Sequence, residues 1–193
     1  MNPPGRPKGE CRRAQPEGTA LTGRRGIVAA GVAAAAGAAG LGVAWWHRDA
    51  DAANALDELW TLHFERPEGG QLAMGSLRGK PLLVNFWATW CAPCLRELPA
   101  IDRFHRQFQD RGWQVVGLAI DGPTPVREFL GRVKVGFPIG LAGMEGTDLL
   151  LKLGNPQGGL PFSVAIDSQG RIAQRKLGET SLDELTRWAK SIG

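Results

Sequence analysis

The chain has 193 residues, 43% hydrophobic and 22% charged, with a formal net charge of +4. That length suits one domain with a tail, and that composition excludes a disordered chain. The excess charge lies before residue 26, where Arg6, Lys8, Arg12, Arg13, Arg24 and Arg25 outweigh Glu10 and Glu17. Basic and acidic side chains balance in the remainder, so no nucleic-acid partner is expected, because a binder needs its positive charge on a folded face. Three cysteines are too few for a disulfide scaffold. Cys11 stands alone in the basic tail and reads as incidental.

Residues 26–46 form a stretch without one charge, Gly26 to Trp46. A helix of that length spans about 30 Å of hydrocarbon. Trp45 and Trp46 suit one interface, and Arg24 and Arg25 flank the other. The expected organisation is a basic cytoplasmic tail over 1–25, a transmembrane anchor or signal sequence over 26–46, a linker over 47–57 and a folded domain over 58–193. Small-residue patterns near Ala50 and Ala55 also permit a cleaved signal, and Arg24-Arg25 matches a twin-arginine signal in part. Anchor and cleaved signal both place the domain on the periplasmic side of the inner membrane.

Leu59 to Phe64 alternates and reads as a strand, followed by a turn at Pro67 to Gly70 and a returning strand at Gln71 to Met74, together an N-terminal β-hairpin. Pro81 to Trp87 is an apolar run expected of a central strand buried on both faces. Leu95, Leu98, Ile101, Phe104 and Phe108 then recur at helical spacing, with Pro99 expected to kink the helix. Strands are expected at Gln114 to Ile120, Phe137 to Leu141, Phe162 to Ile166 and Arg171 to Lys176. Helices are expected at Val126 to Val133, Asp148 to Leu153 and Ser181 to Ile192, the last with Glu184 placed for a capping box. This order predicts an α/β fold with a central mixed sheet flanked by helices.

The chemistry-bearing motif is Cys91-Ala92-Pro93-Cys94, placed where the apolar strand gives way to the helix. Unsatisfied N–H groups and the helix dipole favour a thiolate there, so Cys91 reads as the nucleophile. Cys94, one turn on, is placed to resolve a mixed disulfide and should be more buried. Three other uses of the pair fit less well. Zinc lacks a second pair of ligands, haem attachment fails because residue 95 is Leu, and a purely structural bridge over four residues gains little. No dissociable cofactor is called for beyond the redox disulfide, and no metal.

The segment Asn85 to Cys94, with Glu97-Leu98-Pro99 after it and Gly159-Leu160-Pro161 before a later strand, resembles the thioredoxin superfamily. In detail it is similar to the TlpA/ResA-like membrane-anchored branch, over residues 58–193. The resemblance implies a thioredoxin-like fold and a cis Leu160–Pro161 peptide facing the cysteines. It also implies a substrate groove made by Trp90, Pro93, Leu160 and Pro161. Ordinary thioredoxins carry a buried Asp where Asn85 stands, and Asn cannot take up a proton. The branch instead carries a Glu where Glu97 stands, which makes Glu97 the expected proton-transfer group. Trp87 reads equally as site wall or core.

The leading function is reduction of disulfides in exported client proteins, such as cytochrome c or other metalloproteins under maturation, with a membrane thiol–disulfide electron donor restoring the dithiol. A disulfide-donating oxidase is the reverse reading. A thiol-dependent module for client or metal delivery is a third. A monomer is expected.

Overall fold

The computed structural model describes residues 54–192. The expected tail, the span over 26–46, Cys11 and the linker to residue 53 lie outside them. Among the described residues no helix is long and apolar enough to cross a membrane.

The described chain opens with a helix, α1, over residues 54–61, where a strand was expected from Leu59. The expectation rested on alternation over Leu59 to Phe64. Ala55, Leu56, Leu59 and Trp60 are all buried, and that spacing makes a helical stripe, not a strand face. Pairing begins only with β1 (His63–Glu65), which runs antiparallel to β2 (Gln71–Ala73). α1 also crosses the expected boundary at residue 57, since Ala55 and Leu56 already belong to the core.

The remaining elements are β3 (Leu82–Trp87), α2 (Ala92–Phe108), β4 (Gln114–Ala119), α3 (Pro123–Arg132), β5 (Ile139–Leu141), α4 (Gly146–Lys152), β6 (Phe162–Ile166), β7 (Ile172–Leu177) and α5 (Leu182–Ile192). They build one seven-stranded sheet in the order β2-β1-β5-β4-β3-β6-β7. β3 pairs in parallel with β4, and β4 with β5, while β6 joins β3 antiparallel and β7 joins β6. β3 is thus central and buried at all six positions.

Alternation along β3 sends Leu82, Val84 and Phe86 to one core cluster and Leu83 and Trp87 to the other. The first cluster is covered by α1 and α4, the second by α2, α3 and α5. Trp87 is fully buried and lies 5.5 Å from the Phe129 ring, so it is a core residue. Gly117, paired with Asn85, leaves room for it: a Cβ there would stand 2.6 Å from Ile139 Cδ1 and 3.1 Å from Trp87 Nε1. Helix α2 runs through Pro99 without a break in its assignment. At α5, Ser181 Oγ accepts from Glu184 N–H, but the Glu184 carboxylate turns to Lys176 instead of returning to the cap. Only half of the expected capping box forms.

Candidate active site

The site is assembled where β3 ends. Cys91 is the N-cap of α2, with extended backbone at φ −92° and ψ 96°. Its N–H donates to Ala88 O and its carbonyl accepts from Leu95 N–H, each at 3.2 Å. Its sulfur accepts from Cys94 N–H at 3.3 Å, the contact a side-chain oxygen makes in an ordinary N-cap. The Cys94 N–H and the helix dipole therefore both act on Cys91 Sγ. Pro93 sits in the first turn, where its missing N–H costs nothing. Cys91 and Cys94 are joined as a disulfide. Cys94 is fully buried and Cys91 is 6% exposed, while Trp90 stands 70% exposed at the lip.

The loop before Cys91 is pinned from the neighbouring strand. Thr89 donates to Asp121 Oδ2 through its N–H at 3.0 Å and its hydroxyl at 2.5 Å, and Gly122 N–H donates to Asp121 Oδ1 at 2.7 Å. Sequence reading missed Asp121. Its position directly after a strand parallel to β3 was the available signal, since strand C-termini in such sheets gather at one edge.

Glu97 lies one helical turn beyond Cys94 and is 1% exposed. Its Oε1 accepts from Asn85 Nδ2 at 2.6 Å and its Oε2 from Thr180 N–H at 2.7 Å. Asn85 Nδ2 also donates to Ser163 Oγ at 3.1 Å, a contact made possible by the pairing of Asn85 with Ser163 between β3 and β6. Burial pushes the Glu97 carboxyl up from its ordinary 4.5 to about 7, against the lowering effect of the Thr180 and Asn85 hydrogen bonds. Asn at position 85 suits this neighbour: two carboxylates 2.6 Å apart could not both ionise, whereas an amide donates to one.

The third part is the loop entering β6. Leu160–Pro161 is cis. Leu160 is half-buried and packs on both core clusters, one of which contains Cys91 and Cys94. Asn155, 3% exposed, donates from Nδ2 to Gly159 O at 2.7 Å and from its N–H to Leu150 O at 3.1 Å. It holds the loop from the α4 side. The structure therefore brings Cys91, Cys94 and Leu160 into one packed cluster. Glu97 sits on the same helix, and Trp90 stands at the rim. Among the described residues no group of His, Cys, Asp or Glu converges as a metal site requires.

Such an arrangement has two sulfurs at a helix N-terminus and a carboxyl near neutrality one turn behind, which is the equipment for exchanging disulfides and moving the accompanying proton. A family model described as Redoxin matches residues 61–187. The chain belongs to the Redoxin family. The thiol-disulfide oxidoreductase ResA of Bacillus thuringiensis is 29% identical over 126 residues, covering 65% of this chain and 70% of its own. A crystal structure of a thiol:disulfide interchange protein from Chlorobium tepidum superposes with a TM-score of 0.62 at 26% identity, over 68% of this chain and 92% of that one. MTB dsbF gives 0.60 at 25% identity, over 70% and 97%. This Redoxin-family chain is a thioredoxin-like thiol–disulfide oxidoreductase of the ResA/TlpA-like group, with a mixed sheet flanked by helices.

Proposed function

We propose that this oxidoreductase works outside the cytoplasmic membrane as a reductase of disulfides in exported client proteins. The observation that carries the proposal is the buried Glu97, one turn behind a fully buried Cys94, with its carboxyl near neutrality. In the dithiol form, the Cys91 thiolate attacks one sulfur of the client disulfide and the other client sulfur leaves as a thiolate. Cys94 then gives its proton to the Glu97 carboxylate and attacks Cys91 Sγ. The client departs as a dithiol carrying two electrons taken from the enzyme, and Cys91–Cys94 is left oxidised. Trp90, Pro93, Leu160 and Pro161 form the groove in which the client strand lies.

Residues 1–25 form a cytoplasmic tail, 26–46 hold the protein to the inner membrane, and a membrane thiol–disulfide donor returns the two electrons. Clients undergoing cytochrome c or metalloprotein maturation suit a reductant held in an oxidising compartment. Supporting this reading, the relatives named ResA are thiol-disulfide oxidoreductases.

Trapping tests it. Cys94→Ser should accumulate a mixed disulfide through Cys91, and mass spectrometry of the adduct names the client. An adduct that forms through Cys94 instead overturns the assignment of the nucleophile. Direction is read from the reduction potential of the pair. A value near the thioredoxin level of about −270 mV supports the reductase, and one near about −120 mV replaces it with the oxidase.

A further inference from the structure

Glu97 stands at a wall between two environments. Its Oε1 faces the sheet, where the neutral Asn85 donates through Nδ2 both to it and to the Oγ of the neutral Ser163. Its Oε2 faces the loop between β7 and α5, where Thr180 N–H donates to it. Beside that loop lies a solvent-open pocket of about 460 Å³, bounded by Arg96, Arg103, Glu179, Thr180 and Leu182, which Glu97 itself lines. Neither Trp90, Cys91 nor Leu160 borders it. It is therefore separate from the lip where a client would lie.

Two consecutive residues of α2 grip two consecutive residues of the loop. Glu97 holds the Thr180 N–H, and the Arg96 guanidinium donates twice to Glu179 Oε2, at 3.1 and 2.8 Å. The Arg96 and Glu179 side chains are 60% and 43% exposed, so this ion pair is of the weak, readily opened kind. The Glu97–Thr180 contact beneath it is buried.

We propose that the Arg96–Glu179 ion pair is a latch that holds Thr180 over Glu97, and that the proton exchanged at Glu97 passes to water through the pocket beside this loop. Arg96 and Glu179 are then positioning residues. The inference rests on the proton-transfer reading of Glu97 given above. The chemical need is specific. While a client is bonded to Cys91 its body covers the cysteine lip, and the proton taken from Cys94 must leave by another face. Opening the latch admits water to Oε2, and closing it restores the dry environment that keeps the carboxyl near neutrality.

The charged and titratable groups facing Glu97 come from four sides. Arg96, Arg103 and, in the dithiol form, Cys94 lie on α2. Lys176 lies on β7, tied to Glu184 of α5. Glu179 lies on the loop and raises the carboxyl, while Lys176 lowers it. β3 and β6 contribute the neutral Asn85 and Ser163.

These charges give the latch a test of sign. Removing the Arg96 cation should, by charge alone, raise the Glu97 carboxyl or leave it unmoved. Releasing a latch should lower it, because water reaches the group. The measurement is a carbon-13 titration of side-chain-labelled glutamate in the oxidised full-length protein in detergent, with the Glu97 signal assigned by its loss in Glu97→Gln. Arg96→Gln is expected to lower the Glu97 midpoint by about one pH unit. The charge swap Arg96→Glu with Glu179→Arg should return it toward the wild-type value. A midpoint that rises or stays in Arg96→Gln overturns the latch, as does a swap that fails to restore it. This titration needs no turnover. Failure of the proton-transfer reading shows separately, as a Glu97→Gln enzyme with an unchanged pH–rate profile.

Discussion

The first two turns of α2 are built in opposite ways. At the N-cap, the hydrogen bonds that hold Cys91 come from its immediate neighbours in the chain: its N–H donates to the Ala88 carbonyl, and its Sγ accepts from the Cys94 N–H at the helix end. One turn later, Glu97 is held by Asn85, 12 residues back, and by Thr180, 83 residues on, and Asn85 leans on Ser163, 78 residues away. The sulfur end is local, exposed at its rim and electrostatically tuned by backbone. The carboxyl end is tertiary, dry and tuned by burial. A sulfur at a helix N-terminus can thus be written into a few consecutive residues, whereas a buried carboxyl near neutrality needs three elements to meet.

That contrast can be broken at either end. The largest effect is expected from Cys91→Ser, which should reduce turnover of a protein disulfide to the uncatalysed background while leaving the fold intact, since the change is one buried atom at a cap that Ser also satisfies. Stopped-flow reduction of a model disulfide, with circular dichroism for the fold, measures both. Glu97→Gln should leave attack by Cys91 intact but slow resolution of the mixed disulfide by about 10²-fold, the lower range for a lost general acid–base group. Equal slowing of both steps would erase the division between the two ends.

Stability offers a second view of the carboxyl end. The folded value of Glu97, about 7, lies above its ordinary 4.5. Its contribution is therefore fully present below about pH 4.5 and is lost as pH rises through about 7, a change of about 3 kcal/mol. Denaturant unfolding of the oxidised protein should show wild type losing that much relative to Glu97→Gln across this window. Parallel curves would mean that Glu97 is not buried as an acid. A smaller effect is expected at the loop entering β6: Asn155→Ala leaves Gly159 O without its partner and should cost about 1–3 kcal/mol. It should also raise KM for the client more than it lowers kcat, because it loosens the groove and not the sulfurs.

Legibility in the sequence followed the same division. The strand–CxxC–helix unit could be read directly, because a continuous apolar run and a 3.6-residue period are local signals. The order of the later strands and helices was also readable, with ends displaced by a few residues. What misled was Leu59 to Phe64, where alternation over six residues matches a strand while the buried positions, starting at Ala55, follow a helix. At the site, Cys91 and Cys94 were visible from spacing and Glu97 only through family resemblance. The contacts of Asp121, Asn155, Ser163, Thr180 and the Arg96–Glu179 pair could not be read from the sequence, although Asp121 follows a strand expected to run parallel to β3. Each acts through a contact between residues at least 32 positions apart, except Asn155, which folds its own loop back over four.

The central claim is that a carboxyl near neutrality serves the buried sulfur. It is tested most directly by the rate of mixed-disulfide resolution against pH in wild type and Glu97→Gln. Wild type should show resolution falling as pH drops through about 7, where Glu97 takes up its proton and can no longer accept one from Cys94, and this inflection should vanish in Glu97→Gln. Superimposable profiles, differing by no more than a constant factor, would contradict it.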